Sequence, residues 1–399
     1  MAIFSKLFQA AGLSLLAQQA LAAQLYASHY SGSIHLLDFT DGVLSEVSSV
    51  PAGSSLPAWL TWDYANRNLY EADEVFSGDG SLTSWSSAED GSLEQTGHSL
   101  ALFGAVHNSL FGGADGAGFI GSVHYEESKL TTFALPLTAD SVELESFQYE
   151  MDGPGPNPDR QTKPHPHQVI ADPTGSFLII PDLGADILRT YAIDQESGKL
   201  TACADAIAQP GAGPRHAAFW TGSSSRVSRR QDAGTKVFIA DELSNTISRW
   251  AVAYSDTDAC PTLTLEQTLT PYADNATAPT GTKVGEVKVF GNHVYSSNRN
   301  DKSHDGNCSL THYTIAADGA ITFAENTNAF GTYPRTFDIS EAGDFVAIGD
   351  QTTSNVAIVA RDVETGALGE LVANLPILEP GTPESEDGLS AVVWIDGGS

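Results

Sequence analysis

The chain of 399 residues contains 19 Lys and Arg residues against 50 Asp and Glu residues, which gives a formal net charge of −31. A surface this acidic repels phosphate backbones and anionic lipid head groups, so we expect neither nucleic acid nor a membrane as a partner. The length is compatible with two or three domains or with one all-β fold built from repeats, so internal repeats decide the architecture.

The N-terminal segment has the features of a secretory signal peptide. Lys6 precedes a moderately apolar run, and Ala20 and Ala22 have the small-residue spacing that signal peptidases recognise. We therefore expect residues 1–22 to form a signal peptide, with cleavage after Ala22 or Ala23, and the mature protein to be secreted. The alternative is an amphipathic anchor helix that stays attached, because the run is too short to span a bilayer.

The rest of the chain fits an extracellular protein. No later segment reaches the roughly 18 apolar residues that a membrane span needs, so we expect a soluble chain. Two glycosylation sequons, at Asn275 and Asn307, are compatible with passage through a secretory route. The expected product is a soluble, extracellular glycoprotein.

A phrase of the type Gly-x-Leu, followed by alternating polar and apolar residues, recurs along the chain. Its copies, two of them degenerate, begin at Asp41, Asp90, Asp140, Ser197, Pro261, Asp318 and Thr365. These seven units are each about 50 residues long, the period of propeller blades rather than of helical repeats. Helical periodicity is nearly absent after the signal segment.

A short β-prone run recurs in phase with that phrase, as the innermost strand of each blade would. The seven runs are LPAWLTWD, GAVHNSLF, HPHQVIAD, GPRHAAFW, GEVKVFGN, YPRTFDIS and GLSAVVWI. The last run lies at the C-terminus, whereas its companion strands lie at the N-terminus. We therefore predict an all-β, seven-bladed β-propeller over residues 23–399, closed by pairing of N- and C-terminal strands, which removes exposed sheet edges. Two tandem sandwiches are the alternative, but they need a linker that the sequence lacks.

The three cysteines are too few for a disulfide scaffold and do not have metal-ligand spacing. An odd count in an oxidising compartment predicts one bridge and one free thiol. Cys203 with Cys260 is the favoured pair, because Cys308 lies inside a sequon.

Residues 221–235 are rich in Ser and Gly and are expected to form an inserted surface loop between two strands. This loop contains the dibasic pair Arg229-Arg230. The pair is either a processing-protease site or ordinary exposed chain.

Basic and imidazole side chains recur at the start of the predicted inner strands, directly after a proline that fixes φ. The residues at this place are His167, Arg215, His216 and Arg335. Glu242 and Arg299 end the second strand of neighbouring blades, which brings them to the same rim. Because planar guanidinium donors suit carboxylates, the sequence predicts a central funnel that binds an anionic or carbonyl-rich small molecule.

No motif predicts a metal or a cofactor. The stretches at Asp73 and Asp182 lack the ligand spacing of calcium loops, and turns between strands explain them. The Gly-rich stretch 112–122 lacks the Lys-Ser/Thr pair of a phosphate loop, and no Gly-x-Ser-x-Gly marks a nucleophilic serine. We therefore expect a site without metal or cofactor.

At these residues the chain resembles the seven-bladed lactonase propellers, which include bacterial 6-phosphogluconolactonases and fungal 3-carboxy-cis,cis-muconate lactonizing enzymes. The resemblance covers nearly everything after the predicted signal. Five motifs occur in the family's order at blade spacing: HPHQVIADPTGSFLIIPDLGAD, PGAGPRHAAFW, VFIADELSNTI, VYSSNRN and YPRTFDISEAGDFVAIGDQTTSNVAIV. Two features depart from the family, whose members are mostly intracellular: the secretion signal and the insertion at Ser223–Asp232.

The resemblance implies a lactone hydrolase or an intramolecular lyase (cycloisomerase) that acts on a small lactone or carboxylated substrate. The implied catalytic residues are His167, Arg215, Glu242 and Arg299. The expected substrate-binding residues are His165, His216, Arg335 and Gln351.

Either reaction could use the same groups. Arg215 and Arg299 would hold an anion or oxyanion, and His167 and Glu242 would transfer protons. Structural roles are the alternative: Glu242 would only neutralise Arg215, and His167 and His216 would be hydrogen-bonded inner-strand residues.

Two functional hypotheses follow from these residues. The first is a secreted lactonase or cycloisomerase, and the second is a secreted propeller that binds a carboxylate or sugar ligand without turnover. The fold class does not separate them, because propellers host both kinds of protein. The residues specify neither the substrate nor the oligomeric state.

Overall fold

A computed structural model describes residues 22–222, 234–255 and 260–395. Residues 1–21 of the predicted signal segment, the Arg229-Arg230 pair and most of the predicted inserted loop lie outside these described residues, whereas Ala22, the last residue of the predicted signal, is the first residue of a strand. The expectations about them therefore stay predictions.

The described strands form seven antiparallel sheets, the blades of a propeller, which confirms the predicted fold. We number the blades 1 to 7 in chain order and give each from its inner to its outer strand. Blade 1 contains β29 (Leu389–Trp394), β1 (Ala22–His29), β2 (Ser33–Thr40) and β3 (Val43–Pro51). Blade 2 contains β4 (Pro57–Asp63), β5 (Asn68–Asp73), β6 (Gly80–Ser87) and β7 (Leu93–Ala101). Blade 3 contains β8 (Ala105–Phe111), β9 (Phe119–His124), β10 (Lys129–Ala134) and β11 (Glu145–Gln148).

Blade 4 has a two-residue inner strand and an additional short strand. It contains β12 (Ile170–Ala171), β13 (Phe177–Asp182), β14 (Ile187–Ile193), β15 (Leu200–Ala202) and β16 (Ala206–Ile207). Blade 5 contains β17 (Pro214–Trp220), β18 (Lys236–Asp241), β19 (Thr246–Ala253) and β20 (Thr262–Leu269). Blade 6 contains β21 (Lys283–Phe290), β22 (His293–Arg299), β23 (Ser309–Ile315) and β24 (Ile321–Asn328). Blade 7 contains β25 (Pro334–Ile339), β26 (Phe345–Asp350), β27 (Asn355–Arg361) and β28 (Leu368–Pro376).

The described part of the chain contains a short turn of 3-10 helix at Ala273–Asn275. It contains no helix with the length and apolar character needed to cross a membrane.

The two ends of the chain meet in blade 1. Strand β1 pairs with β29, so that Tyr26 lies opposite Val393, and strands at the inner edge of each blade contact those of the neighbouring blades around the ring. This arrangement confirms the predicted closure by pairing of the two ends.

Apolar side chains fill the spaces between the blades. The described residues contain seven apolar clusters, one for each pair of adjacent blades. The second strand of blade 4, β13 with FLIIPD, is covered on both faces and is almost entirely buried and apolar. The outermost strand β20 instead alternates between exposed and half-buried residues. Packing thus occupies the blade faces and leaves the strand ends available for a site.

The predicted disulfide is confirmed. Cys203, just after β15, is bonded to Cys260, just before β20, and their Cα atoms lie 5.7 Å apart. Cys308 is a buried free thiol. The bridge therefore links the outer parts of blades 4 and 5.

Candidate active site

Most inner strands begin with an irregularity in their pairing with the second strand. In six blades the pairing register between the inner strand and the second strand shifts at this point, so the inner strand contains one residue more than the partner strand. Such a bulge re-aims a side chain and increases the local twist. The extra residues are Ala58, Val106, Arg215, Gly285 with Glu286, Arg335 and Ser390. The ionisable residues of this set, Arg215, Glu286 and Arg335, therefore lie at the same end of their inner strands.

Prolines stand at the start of the inner run in four blades. Pro57, Pro166, Pro214 and Pro334 each pair with the aspartate that ends the second strand of the same blade. His167, Arg215 and Arg335 follow these prolines directly and are equivalent positions of the repeat, as the sequence predicted. The turn before Pro214 requires glycine, because Gly213 has a φ of 64° and an added Cβ would lie 2.4 Å from Leu243 Cγ.

The residue directly after the second strand forms the other half of the rim. This position holds Glu74 in blade 2, Tyr125 in blade 3, Glu242 in blade 5 and Gln351 in blade 7. All four line a cavity of about 200 Å³. The other lining residues are Phe76, Glu126, Arg160, His167, Lys283, Arg299, Tyr333, Arg335, Glu384, Ser385 and Glu386. Because blades 2 to 7 and the connection to β29 all contribute, the cavity lies on the propeller axis.

Five of the eight predicted site residues line this cavity. They are His167, Glu242, Arg299, Arg335 and Gln351. The structure therefore brings together residues that are far apart in sequence, as the repeat alignment predicted.

Glu242 is the centre of an arginine cluster. Its Oε2 lies 2.6 Å from Arg299 Nη2 and 3.1 Å from Arg215 Nε, and its Oε1 lies 2.9 Å from Arg160 Nη2. Burial alone would raise the pKa of Glu242, but Arg299, Arg160 and Arg215 together hold it well below its usual value. The carboxylate is therefore ionised across the physiological range and balances part of the cluster's positive charge.

Arg335 belongs to a second charged group on the cavity wall. Its Nη2 donates to Glu74 Oε2 at 3.1 Å, and Tyr30 Oη donates to the same oxygen at 2.5 Å. Burial raises the pKa of Glu74, and Arg335 only partly opposes this effect. Burial alone would lower the pKa of Arg335, but Tyr30 and Glu74 raise it above the usual value. Arg335 is therefore a permanent cation beside the cavity.

His167 carries a neutral imidazole on the same wall. Burial, followed by the charge of Arg215 and the nearby His216, lowers its pKa well below 6.5. The buried Nδ1 atom has no hydrogen-bond partner within the described residues. At neutral pH the imidazole is therefore unprotonated and has a free lone pair, so it can act as a general base, although the neighbouring cations make it a weaker base than a free histidine.

Arg215 does not line the cavity, which corrects the expected direct contact with substrate. The side chain is buried behind Glu242, at 1% exposure, and its Nη1 donates to the Gly285 carbonyl at 2.8 Å. Burial, followed by Arg299, lowers its pKa to about 9. The predicted pairing with Glu242 is present, so Arg215 supports the cluster from behind.

His165 and His216 are also not on the cavity wall, which corrects their expected substrate contacts. His165 stacks on Tyr125 with a centroid distance of 4.0 Å, and its Nδ1 lies 2.9 Å from the Tyr125 carbonyl oxygen. His216 lies in a buried layer beneath the cavity, where its Nδ1 is 2.9 Å from Glu286 Oε2. Each imidazole thus contacts another protein group through its Nδ1, whereas the buried Nε2 of His216 has no hydrogen-bond partner within the described residues.

Several cavity residues were missed by the sequence analysis. Glu74 and Tyr125 occupy the same repeat position as Glu242 and Gln351, so an alignment of the second-strand ends would have found them. Arg160 comes from the long connection between β11 and β12 and has no counterpart in the repeat. Glu384 and Glu386 come from the connection between β28 and β29.

Within the described residues, no group of three or more His, Cys, Asp or Glu side chains has an arrangement that could hold a metal ion. The site consists of an arginine–carboxylate cluster, an arginine–glutamate–tyrosine group and a neutral imidazole. Such an arrangement can stabilise negative charge on oxygen and transfer a proton.

Comparison with known proteins places these observations in context. A family model described as a lactonase with a seven-bladed β-propeller matches residues 22–384. A probable 6-phosphogluconolactonase of Arthroderma benhamiae is 30% identical over 329 residues, 82% of this chain and 79% of the relative. A 6-phosphogluconolactonase of Formosa agariphila is 24% identical over 265 residues, 65% of this chain and 68% of the relative.

Solved structures agree on the fold. The periplasmic gluconolactonase of Pseudomonas aeruginosa superimposes with a TM-score of 0.74 at 22% identity, covering 94% of this chain and 99% of that one. A protein from Lactobacillus plantarum gives a TM-score of 0.75 at 20% identity, covering 94% of this chain and all of that one. At these identities the likeness shows the propeller fold alone.

Proposed function

This chain belongs to the family of seven-bladed β-propeller lactonases, and we propose that it hydrolyses the ester bond of a lactone in the axial cavity. The observation that carries the proposal is His167. Its imidazole is neutral and lies on the wall of the cavity that the cations Arg299 and Arg335 also line. A base and oxyanion-stabilising donors are the groups that lactone opening needs.

In the proposed reaction, His167 takes a proton from a water molecule as the water oxygen bonds to the lactone carbonyl carbon. Arg299 and Arg335 stabilise the negative charge that develops on the carbonyl oxygen. The carbonyl then re-forms, the ring C–O bond breaks, and the proton on His167 goes to the leaving alkoxide. The product is a hydroxy acid, which releases one proton to solvent at neutral pH.

Glu242 has a positioning role in this proposal instead of the proton-transfer role inferred from sequence. Its low pKa makes it a weak base, since three guanidinium groups stabilise the ionised form. Its contacts hold Arg160 and Arg299 at the cavity. The structural alternative for Glu242, a salt bridge to Arg215, is part of the same cluster.

Proton release tests the proposal directly. A pH-stat would record acid formation from aldonolactones, aromatic-derived muconolactones and polyketide lactones, with heat-unfolded protein as the control for spontaneous opening. We expect at least one lactone to be opened faster by the folded protein than by the control. If every lactone opens at the control rate while calorimetry detects ligand binding, the non-catalytic alternative replaces this proposal.

We also propose that the protein is secreted, as its N-terminal segment predicts. N-terminal sequencing of protein from the culture medium should begin near Ala23 or Gln24. Recovery of an intact intracellular form that begins at Met1 would contradict this proposal.

A further inference from the structure

We propose that Glu286 and His216 are positioning residues that fix the tautomer of His167, so that the lone pair of His167 faces the cavity. Both residues belong to the buried layer beneath the axial cavity and do not line it. This inference rests on the proposed hydrolysis, in which His167 is the base, and deepens it. The hydrogen-bond contacts of the layer assign the protons of its imidazoles one after another.

Glu286 is the fixed end of this arrangement. The residue is 1% exposed, and its Oε1 accepts a hydrogen bond from the Val287 N–H at 3.0 Å. Its backbone N–H donates to Ser297 Oγ at 2.9 Å. The other carboxylate oxygen, Oε2, lies 2.9 Å from His216 Nδ1. Because Val287 holds Oε1 in one orientation, Oε2 stays beside the His216 ring.

The charges around Glu286 determine which atom of this contact carries the proton. Burial raises the pKa of Glu286, whereas Lys288 and Arg215 lower it and favour the carboxylate. Asp338 Oδ1 lies 3.7 Å from Lys288 Nζ and shares that cation. A carboxylate only accepts hydrogen bonds, so its Oε2 requires a proton on His216 Nδ1.

His216 passes this constraint to His167. Burial, followed by the charge of Arg215, lowers the pKa of His216 well below 6.5, so the ring is neutral and its Nε2 has a lone pair. This Nε2 and the Nδ1 of His167 are both buried and without a hydrogen-bond partner within the described residues. The two rings meet edge to face with centroids 5.2 Å apart, a separation that allows a hydrogen bond through one water molecule. An acceptor on His216 requires a proton on His167 Nδ1, which leaves the lone pair of His167 on Nε2.

The proton of the third imidazole in the layer, His107, is fixed independently. Gln168 Oε1 accepts from the Ala217 N–H at 2.6 Å, so the Gln168 amide nitrogen, 3.4 Å from His107 Nε2, is the donor there. The neutral His107 ring therefore carries its proton on Nδ1, which is also buried and unpartnered in the described part of the chain. His107 thus adds a second donor near His216, at a centroid distance of 5.5 Å. One water molecule can accept from both donors and donate to His216 Nε2.

This order of protons gives His167 two properties that lactone opening needs. Since Nδ1 is the buried nitrogen of a ring that lines the cavity, Nε2 is the nitrogen available to the attacking water. When Nε2 takes the proton of that water, the ring becomes a cation, which Arg215 disfavours. Glu286, acting through His216, places negative charge behind the ring and offsets part of this repulsion.

Glu286→Gln reverses the tautomers with little change in shape. The Val287 N–H still needs an acceptor, so the new amide oxygen stays there and the amide nitrogen donates to His216 Nδ1. The protons of His216 and His167 then move to Nε2, where the second one blocks the base. With the lactone of the pH-stat panel that wild type opens fastest, we expect kcat to fall on the order of 10²–10⁴, as in a Ser-His-Asp triad whose carboxylate becomes an amide. The effect on KM should be smaller.

Proton–nitrogen correlation NMR of protein with isotope-labelled histidine reads the tautomers without any lactone. We expect wild type at neutral pH to carry the protons of His167 and His216 on Nδ1, and Glu286→Gln to carry both on Nε2. The signals are assigned with His167→Asn and His216→Asn. The wild-type spectrum tests the assignment whatever the stability of the variants.

The matched control is Glu71→Gln. Glu71 is as buried as Glu286, but its carboxylate is bonded to Gly53, Ser54 and Trp85, outside the imidazole layer. We expect this control to keep the wild-type kcat and the wild-type tautomer of His167. Addition of Glu286→Gln to His167→Asn should cause no further loss of kcat, because both changes disable the same group.

The outcomes separate this inference from the proposed function. A wild-type His216 with its proton on Nε2, or a His167 tautomer that Glu286→Gln leaves unchanged, would overturn the inference and leave hydrolysis standing. Equal losses of kcat in Glu286→Gln and Glu71→Gln would also overturn it, since they would show a structural role alone. If no lactone opens faster than the control, the proposed function falls, while the NMR spectra still decide whether Glu286 and His216 set the tautomer of His167.

Discussion

Arg299 Nη2 lies 2.6 Å from Glu242 Oε2, and this ion pair joins the second-strand ends of blades 5 and 6 at the rim of the axial cavity. Both side chains are almost completely buried. A buried ion pair is retained only when its remaining atoms find partners, and here Arg160 and Arg215 complete the set on Glu242.

Glu242→Gln should therefore destabilise the protein. The substitution keeps the shape of the side chain but leaves three buried or half-buried guanidinium groups without their carboxylate, and breaking such a cluster costs about 3–5 kcal/mol. Urea denaturation measures the change in the free energy of unfolding. The control is Glu266→Gln, which removes a partly exposed partner of Lys236 and should cost about 1 kcal/mol or less. Equal effects of the two variants would contradict the account of the cluster.

Arg215→Ala should lower the stability of the protein, and any loss of activity should follow from that loss of stability. The side chain supports Glu242 and the Gly285 carbonyl from behind the cavity wall, so its loss leaves buried polar groups unpartnered. We expect a lower melting temperature, while Lys199→Ala at an exposed turn changes nothing. A rate loss on the order of 10²–10³ with an unchanged melting temperature would instead indicate a transition-state contact of the kind an oxyanion donor makes.

The fold could be predicted from the sequence because the repeat imposes the same strand pattern seven times. The inner runs, the closure by β1 and β29, and the Pro-fixed positions of His167 and Arg335 followed from spacing alone. The spacing of the repeats does not predict how deeply a side chain is buried or which group it contacts. Arg215 and Arg335 are equivalent in the repeat, but Arg215 reaches the backbone carbonyl of Gly285 whereas Arg335 reaches Glu74.

The remaining site residues come from non-repeating chain. Arg160 lies in a connection of about 20 residues between blades 3 and 4, and residues 377–388 join blade 7 to the closing strand. Such segments have no periodicity that fixes where their side chains lie, so only the three-dimensional structure brings Arg160, Glu384 and Glu386 to the cavity.

Asp241 gives a pH-dependent prediction. Burial raises the pKa of its carboxyl to about 7, compared with about 3.9 in an unfolded chain. Between these values the native state binds a proton that the unfolded state lacks, so the stabilising contribution is complete below about pH 4 and is lost as the pH rises through about 7. The free energy of unfolding of Asp241→Asn, relative to that of wild type, should therefore be higher at about pH 8 than at about pH 5.

Urea denaturation of wild type and Asp241→Asn at both pH values measures this difference. Asp140→Asn is the control, because Asp140 is exposed. A difference between Asp241→Asn and wild type that is the same at both pH values would contradict the raised pKa.

Removal of the closing strand should abolish the native fold. Deletion of residues 391–399 removes most of β29, including Trp394 and Val392 of the apolar cluster between blades 7 and 1. The edge of β1 and the apolar faces around it would then be exposed to water. Val142→Ala, at an exposed position, is the control for loss of apolar surface alone. A truncated protein that melts within about two degrees of the full chain would contradict closure by β29.

The most direct test of the central claim is the turnover of a lactone by His167→Asn. If His167 is the base, kcat should fall on the order of 10²–10⁴, while the melting temperature is retained. His98→Asn, in the outer strand β7, should keep wild-type kcat. Because burial lowers the pKa of His167 well below 6.5, the wild-type rate should stay constant from neutral pH to below pH 6.5 and fall only in more acidic solution. A His167→Asn variant that keeps the wild-type kcat and this acid limb would contradict the account.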